Sequence, residues 1–386
     1  KVVFLKDTIL NKLQSNPVAQ QMLQFGNNIG NLFPNEEALC MASAFMQDKQ
    51  TRIVVKKNRY EAQQLYQRLK PLINDTLLFV MEESLRVQAI ASSPEDKQEQ
   101  LYVLTQLVKE DKPRIIICNT VAFLRYLPDK ELFKSLCFKF EVDQEITMAE
   151  LKQKLNRAGY TKVNYVDRPC TYASRGGIVD VYCLEYEHPI RIEFFDTVIE
   201  SIRLFHEETQ RTIQTIDSVL INPATDLLFT DDQIEYLQKE IDSELEKQQA
   251  KLIQDDYDFL LDYIEKDKIS IENYDIDPHL YIYFSYLNAN KLTDYVNGHI
   301  IFSSQEEVES GYKKLNEETI SFIQEMVESH QYLPKYSMFH DIFTFEKEHT
   351  IQMFHDFLDF KHPIFSKIET LEKSDQPLIQ ILESLK

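Results

Sequence analysis

Three short apolar runs, separated by helical patterns, most strongly limit what the first third of this 386-residue chain can fold into. Residues 52–55, 77–80 and 114–118 show almost no alternation between apolar and polar side chains. A strand that is apolar on both faces is buried on both faces, which is typical of a parallel sheet covered by helices. Helices are predicted between these strands, one of them capped by Asn58. The sequence therefore predicts an α/β domain with a parallel sheet over residues 1–136.

The pattern changes near residue 137, where strands of period two replace the continuous apolar runs. Thr147 opens a capping box at the start of a predicted helix. From Thr161 to Phe205 the chain contains consecutive strand patterns, in which side chains alternate between two faces. A helix packed on an antiparallel sheet forms a small α+β domain, which we predict over residues 137–222.

A third region is predicted as a further α/β subdomain over residues 223–345. It begins with a long acidic helical stretch at residues 230–266. Strand-like segments follow at residues 281–284 and 299–302. Residues 346–386 are predicted to form a C-terminal helical linker. We expect the third region to pack with the first domain as one body, with the α+β domain inserted between them.

Charge and composition exclude several classes of function. The chain has 42 basic and 63 acidic residues, a formal net charge of −21. An acidic balance of this size argues against wrapping of nucleic acid or binding to an anionic membrane by the chain as a whole. No run of 18 apolar residues occurs. Five widely spaced cysteines without a CxxC motif indicate reduced thiols of a cytoplasmic protein.

The place of a phosphate-binding loop, before the first long helix, holds carboxylates where such a loop needs a lysine. A working loop uses glycines for close backbone approach, a lysine for the phosphates and a hydroxyl for magnesium. Here Glu36 and Glu37 reverse the charge, Ala38 has no hydroxyl, and no Gly-Lys dipeptide occurs in the chain. We interpret this position as a degenerate nucleotide site, made by Gly30, Glu36, Glu37 and Ala38.

No other pattern in the sequence predicts catalysis or metal binding. The histidines that cluster near the C-terminus form neither an HxxxH motif nor a His/Cys ligand set; they are His340, His349, His355 and His362. No G-x-S-x-G elbow occurs, and carboxylates are too abundant for one pair to stand out as a catalytic dyad. The sequence therefore predicts no catalytic residue and no metal site.

The most distinctive segment, residues 168–211, predicts a protein-binding surface. The adjacent Gly176 and Gly177 permit a tight turn, which places Arg175 at an exposed edge. Alternation in residues 190–195 then puts one set of side chains on the core face: Ile190, Ile192 and Phe194.

The same alternation leaves Phe195 pointing outward beside Arg191. An arginine and an exposed aromatic on a rigid sheet have the composition of a protein-binding hot spot. The alternative from the pattern alone is that another domain covers Phe195 or that a bulge turns it inward.

This segment resembles the stretch shared by UvrB and the transcription-repair coupling factor (Mfd) family. The matching motifs are Tyr172 to Tyr182, Arg191–Phe195, Glu200–Phe205 and Thr209-Gln210-Arg211. Weaker resemblance covers Ala149–Tyr160, Asn222-Pro223-Ala224, residues 51–69 and residues 114–128. Cys170 and Cys183 depart from the pattern, since relatives usually have Gly and Pro at these two positions.

The missing lysine distinguishes the two families. UvrB keeps a working phosphate-binding lysine, whereas the N-terminal module of the coupling factor resembles UvrB in fold and has lost it. The resemblance therefore implies a degenerate helicase-like (RecA-type) domain like UvrB domain 1a. It further implies an inserted domain like UvrB domain 2 over residues 137–222 and a subdomain like domain 1b over residues 223–345.

The resemblance implies a non-catalytic adaptor of transcription-coupled nucleotide excision repair whose middle domain recruits UvrA. The family's UvrA-contacting residues fall on Arg175, Arg191 and Phe195. A C-terminal domain of the longer protein is expected to mask this surface. RNA polymerase, DNA, ATP and magnesium are expected to bind regions outside this chain. The alternative is an ATP-dependent DNA helicase or UvrB-like damage-loading enzyme; a direct DNA-damage binder would need a basic face.

Overall fold

The computed structural model of the protein describes residues 2–24, 26, 28–30, 32–83, 94–275 and 277–355. The predictions for residues 356–386, which include His362, lie outside the described residues. The helices are α1 (Val2–Leu13), α2 (Pro17–Gln21), α3 (Pro34–Asp48), α4 (Arg59–Leu69), α5 (Pro94–Lys109), α6 (Thr120–Leu124), α7 (Lys130–Ser135), α8 (Met148–Arg157), α9 (Asp231–Gln249), α10 (Gln254–Glu272), α11 (Leu292–Tyr295), α12 (Gln305–Glu328) and α13 (Ile342–Glu348).

The strands are β1 (Asn28–Gly30), β2 (Arg52–Lys56), β3 (Thr76–Phe79), β4 (Ile115–Asn119), β5 (Phe138–Glu141), β6 (Thr161–Lys162), β7 (Thr171–Arg175), β8 (Ile178–Tyr182), β9 (Ile190–Phe195), β10 (Val198–Phe205), β11 (Thr212–Ile216), β12 (Ser218–Ile221), β13 (His299–Phe302) and β14 (Ile351–His355). A 3₁₀ helix covers Pro278–Tyr286.

The main sheet is parallel throughout the part of the chain that the structure describes, with strand order β1–β14–β13–β2–β4–β3. In the interior strand β2, Ile53 pairs with Ile300 of β13 on one side and with Ile116 of β4 on the other. Every residue of β2, β3 and β4 is buried. Because both faces of these strands are covered, the prediction of an α/β fold with a parallel sheet is confirmed.

Strands from both ends of the chain meet in the main sheet. Strands β1 to β4 precede residue 120, whereas β13 and β14 follow residue 298. β13 nevertheless lies between β2 and β14, and Ile29 of β1 pairs with Phe354 of β14. The chain therefore leaves this sheet after β4 and returns to it about 180 residues later.

Local sequence signals explain where α4 forms. The Asn58 side-chain oxygen accepts a hydrogen bond from the backbone N–H of Glu61 at 2.9 Å, which satisfies one unpaired donor of the first turn. Ala62, Leu65 and Leu69 recur at helical spacing and are buried on one face of the helix. The cap and the apolar stripe together fix both the start and the orientation of α4.

A second sheet carries the region predicted as α+β, with strand order β11–β10–β9–β8–β7–β6. Its neighbouring strands are antiparallel except for the parallel pair β6–β7. The capping box at Thr147 is present and starts α8. Leu151 and Leu155 of α8 are fully buried in the same hydrophobic cluster as Ile190 and Ile192 of β9. Asn156 of α8 also accepts a hydrogen bond from the Tyr172 hydroxyl of β7 at 2.8 Å, which places the helix against the sheet.

A two-stranded ribbon connects the second sheet to the rest of the molecule. β5 pairs with β12 in antiparallel fashion, with Phe138 opposite Ile221. These two strands enter and leave the region between residues 138 and 221. Because they pair with each other, the entry and exit points of the predicted insert lie side by side.

Two predictions in the third region are corrected by the structure. The strand-like segment at residues 281–284 lies in the 3₁₀ helix, because a short apolar run does not distinguish a buried strand from a buried helical segment. Its Tyr281 hydroxyl accepts a hydrogen bond from the backbone N–H of Tyr126 at 2.8 Å. The helical stretch at residues 230–266 is divided into α9 and α10, and α10 extends to Glu272.

The predicted helical linker at residues 346–386 is wrong at residues 351–355, although residues 346–348 do lie in the helix α13. Residues 351–355 form β14, in which Ile351 and Phe354 are buried. The reason is a position in the main sheet between β1 and β13, where the backbone pairs with both neighbouring strands and Ile351 and Phe354 become buried. Within the described ranges, no helix is long and apolar enough to cross a membrane.

Candidate protein-binding site

The turn between β7 and β8 is built on two glycines. Gly176 has φ +55°, and this left-handed conformation at the first central position of a two-residue turn favours glycine. A Cβ atom on Gly177 would lie 3.0 Å from the carbonyl oxygen of Phe194. The backbone N–H of Phe194 also donates to the Gly177 carbonyl at 2.8 Å. The glycines therefore bring the turn, and with it Arg175, against the end of β9.

Phe195 lies at the tip of the hairpin formed by β9 and β10. It pairs with Val198, and Asp196 between them has φ +56°. Its neighbour Phe194 faces the core, whereas the Phe195 side chain is 74 % exposed. The strand alternation thus leaves a large aromatic ring in solvent at a rigid position.

Arg175 ends β7 and presents a second exposed group. Its side chain is 62 % exposed, and its guanidinium lies 3.9 Å from a carboxylate oxygen of Asp180. This separation is that of a weak ion pair and is longer than a hydrogen bond. Arg175 therefore makes no hydrogen bond to Asp180, and most of its side chain is in contact with solvent.

The expectation that Arg191 lies exposed beside Phe195 is wrong. Its side chain is only 15 % exposed, and its guanidinium donates to both carboxylate oxygens of Asp180 at 2.7 Å each. A third hydrogen bond, also 2.7 Å, goes to the side-chain oxygen of Gln210. The guanidinium carbon lies 4.2 Å from the centre of the Phe205 ring. The arginine is therefore occupied within the chain, and the bond to Asp180 raises the pKa of Arg191 above its ordinary value.

Asp180 and Gln210 are site residues that were not singled out from the sequence. Asp180 is the one carboxylate in the apolar strand β8, and its side chain is 4 % exposed. Gln210 belongs to the Thr209-Gln210-Arg211 motif and adopts φ +59°. A lone charge inside an apolar strand was the available signal for Asp180. We call Arg175, Asp180, Arg191 and Phe195 together the outer patch.

A second ion pair lies on the same face of the sheet as the outer patch. Arg203 of β10 pairs with Glu193 of β9, and the Ser201 hydroxyl donates to the same carboxylate at 2.8 Å. Arg203 and Arg191 are direct partners in the β9–β10 ladder. Polar residues of this face therefore neutralise one another, which leaves Arg175 and Phe195 as the groups turned to solvent.

The degenerate nucleotide position contains an internal ion pair. Glu37 is buried in the first turn of α3, and the Lys56 ammonium lies 2.6 Å from its carboxylate. The Ser303 hydroxyl also donates to Glu37. Glu36 accepts a hydrogen bond from the backbone N–H of Phe33 at 3.0 Å and so occupies a free donor at the helix start.

These contacts do not fit a phosphate group. Gly30 ends β1, but Glu37 supplies a negative charge where a phosphate would need a positive one, and Ala38 is buried without a hydroxyl. The acidic first turn also uses the positive end of the helix dipole that phosphates exploit. The cation that is present, Lys56, is already paired with Glu37.

A cavity of about 490 Å³ lies at the carboxyl ends of β2 and β4, where open α/β sheets commonly bind ligands. Its charged lining contains two lysines and four glutamates: Lys57, Lys314, Glu83, Glu306, Glu307 and Glu318. Lys57 pairs with Glu307 at 2.5 Å and with Glu61 at 3.0 Å. The cavity is therefore net acidic, which disfavours a nucleotide. Among the residues that the structure places, no group of three or more His, Cys, Asp or Glu is arranged to hold a metal ion.

Comparison with protein families assigns the second sheet. Residues 138–227 match the family model of the UvrB interaction domain. These residues include β5 to β12 and the whole outer patch. The chain thus contains a UvrB interaction domain beside a parallel α/β sheet.

Comparison with curated proteins extends the match beyond this domain. The chain is 31 % identical over 304 residues to the transcription-repair-coupling factor of Bacillus subtilis, which covers 76 % of this chain and 25 % of that protein. The transcription-repair-coupling factor of Staphylococcus haemolyticus is 28 % identical over 305 residues, which cover 77 % of this chain and 26 % of that protein. The one of Staphylococcus epidermidis is 26 % identical over 336 residues, which cover 84 % of this chain and 28 % of that protein. The resemblance to the transcription-repair coupling factor is confirmed, and the chain spans about a quarter of the length of these relatives.

Proposed function

We propose that this chain is a non-catalytic adaptor that recruits UvrA in transcription-coupled nucleotide excision repair. The observation that carries the proposal is the exposed Phe195 ring at the hairpin tip of a UvrB interaction domain. The name of the relatives supports the process, since they are transcription-repair-coupling factors.

The chemistry of the outer patch supports a protein partner. The apolar surface of a large exposed aromatic ring is removed from water only when a partner covers the ring. Such residues are typical anchors of protein interfaces. Arg175 beside it offers a planar guanidinium, which binds a carboxylate through two parallel hydrogen bonds. We infer that UvrA presents an apolar pocket flanked by a carboxylate.

The non-catalytic part of the proposal is supported by charge. Glu37 and Lys56 neutralise each other where a nucleotide phosphate would bind, and the neighbouring cavity is net acidic. We therefore assign ATP, magnesium, DNA and RNA polymerase to regions of the longer protein outside this chain. A C-terminal domain of that protein is proposed to cover the outer patch before UvrA binds.

Binding of purified UvrA to this chain tests the proposal, with Phe195→Ala as the informative variant. We expect affinity to fall about 30-fold, which corresponds to about 2 kcal/mol for a central interface anchor. The melting temperature should stay unchanged, because the ring has no core contact to lose. Phe259→Ala is the matched control, since Phe259 is a 54 % exposed phenylalanine of α10 outside residues 138–227. Equal affinity of wild type and Phe195→Ala would contradict the proposal.

A further inference from the structure

We propose that Arg191 is a positioning residue that neutralises Asp180 and thereby leaves the Arg175 guanidinium free for a carboxylate of the partner. The inference rests on the proposed docking of UvrA at the outer patch. It assigns different tasks to two arginines of the same face. Arg175 and Phe195 contact the partner, whereas Arg191 acts through Asp180.

The buried Asp180 carboxylate requires a cation beside it. Its carboxylate is nearly inaccessible to water, and a buried charge is costly unless a cation pairs with it. Arg191 meets this demand with two parallel hydrogen bonds. The geometry follows from strand register, because Asp180 of β8 and Arg191 of β9 lie directly opposite each other.

The Phe205 ring and Gln210 hold the Arg191 guanidinium in its position. Its guanidinium lies over the Phe205 ring, and Phe205 itself is fully buried in a small cluster with Val166 and Ala173. Gln210 accepts a third hydrogen bond, from a terminal nitrogen of the guanidinium. Three of the five N–H groups therefore donate within the chain, and the stacked side chain is only 15 % exposed, so Arg191 is held in place beside Asp180.

Arg175 and Arg191 compete for the same Asp180 carboxylate. Arg175 lies 3.9 Å from an Asp180 oxygen that Arg191 already occupies at 2.7 Å. Two arginines and one aspartate leave one surplus positive charge, and it is carried by the exposed Arg175. Without the charge of Arg191, Asp180 would attract Arg175 inward and remove it from the docking surface.

Two variants of residue 191 and one double variant test this inference by titration with purified UvrA. Arg191→Gln should weaken binding about tenfold or more, since Asp180 then captures Arg175. The double variant Asp180→Asn with Arg191→Gln should recover affinity to within about threefold of wild type, because no buried charge remains to attract Arg175. Arg191→Lys keeps the positive charge without the two parallel hydrogen bonds to Asp180, and its affinity for UvrA should also stay within about threefold of wild type.

A direct contact between Arg191 and UvrA gives the opposite pattern. The double variant would then bind as weakly as Arg191→Gln, and Arg191→Lys would bind weakly too; either result overturns the inference. Wild-type affinity of a folded Arg191→Gln variant also overturns it. The neutral double variant keeps the test valid if Arg191→Gln unfolds.

Failure of the inference and failure of the proposed function are distinguishable. If Phe195→Ala and Arg175→Gln both retain wild-type affinity for UvrA, the docking proposal itself is wrong. If both weaken binding and the double variant is not rescued, docking stands and only the positioning role of Arg191 is wrong. Arg175→Gln added to the rescued double variant should abolish the recovery.

Discussion

Glu37 in the main sheet region and Asp180 in the UvrB interaction domain are both buried carboxylates held by a cation. Around Glu37, Lys56 and Ser303 complete the pairing and no charge is left over. Around Asp180, Arg191 completes the pairing and Arg175 remains as a surplus charge in solvent. The difference lies in the number of cations: one lysine neutralises Glu37, whereas two arginines lie near Asp180 and one of them stays exposed.

The largest expected effect on stability comes from Glu37→Gln, which removes the ion pair between Glu37 and Lys56. This change leaves the buried Lys56 ammonium without its partner, which typically costs about 3–5 kcal/mol. We expect the free energy of unfolding in urea to fall by that amount. UvrA affinity of the folded variant should stay unchanged, because residue 37 lies outside the UvrB interaction domain.

Glu36→Gln is the matched control for Glu37→Gln. Glu36 accepts a hydrogen bond from the Phe33 N–H, and a glutamine at this position still can. Its effect on unfolding should remain below about 0.5 kcal/mol. A loss below about 1 kcal/mol for Glu37→Gln, or an increase in melting temperature of wild type on adding ATP and magnesium, would contradict the neutralised site at Glu37 and favour the helicase alternative.

A hydrogen-bonded cluster around His279 in the main body predicts that stability depends on pH. The two ring nitrogens of His279 lie 2.7 Å from Asp267 and 2.8 Å from Asp277, and the Tyr283 hydroxyl donates to Asp267. Burial alone would lower the pKa of His279, but the hydrogen bonds to both carboxylates outweigh it and raise the pKa to about 9. The protonated ring is therefore part of the folded structure.

A folded-state pKa above the unfolded value of about 6.5 means that the stabilisation is complete below pH 6.5. It is lost as pH rises through about 9. We expect wild type to exceed His279→Gln in unfolding free energy by about 3 kcal/mol at pH 6, with the difference nearly gone above pH 9.5. Urea unfolding at a series of pH values measures it; a difference that stays constant with pH would refute the cluster around His279.

The sequence predicted four of the six strands of the main sheet (β2, β3, β4 and β13), because continuous apolar runs have few alternatives in an α/β chain, but it missed β1 and β14. It also predicted the outward direction of Phe195, since a period of two assigns each side chain to a face. It did not predict the 3₁₀ helix at residues 278–286, where a short apolar run is ambiguous.

The burial of Arg191 was missed for a different physical reason. Alternation tells which face a side chain points to, but not what other strands place on that face. Asp180 comes from β8, and Phe205 follows a register shift after Leu204 that no periodicity reveals. Contacts between strands, rather than the pattern within one strand, decide whether an outward arginine is free.

The smallest expected effect concerns Gln210, the last hydrogen-bond partner of Arg191. Its side-chain amide also donates to the Glu207 carbonyl at 2.7 Å, so the residue connects the loop after β10 to the arginine. Gln210→Ala removes both of these solvent-exposed hydrogen bonds but leaves the two hydrogen bonds between Arg191 and Asp180 intact. We expect a loss of stability of about 1 kcal/mol or less and a decrease in UvrA affinity below about fivefold. Gln214→Ala on the exposed strand β11 is the control and should change neither quantity. A decrease in affinity above about tenfold for Gln210→Ala at unchanged stability would mean that the loop itself contacts UvrA, and the docking site would then extend beyond the outer patch.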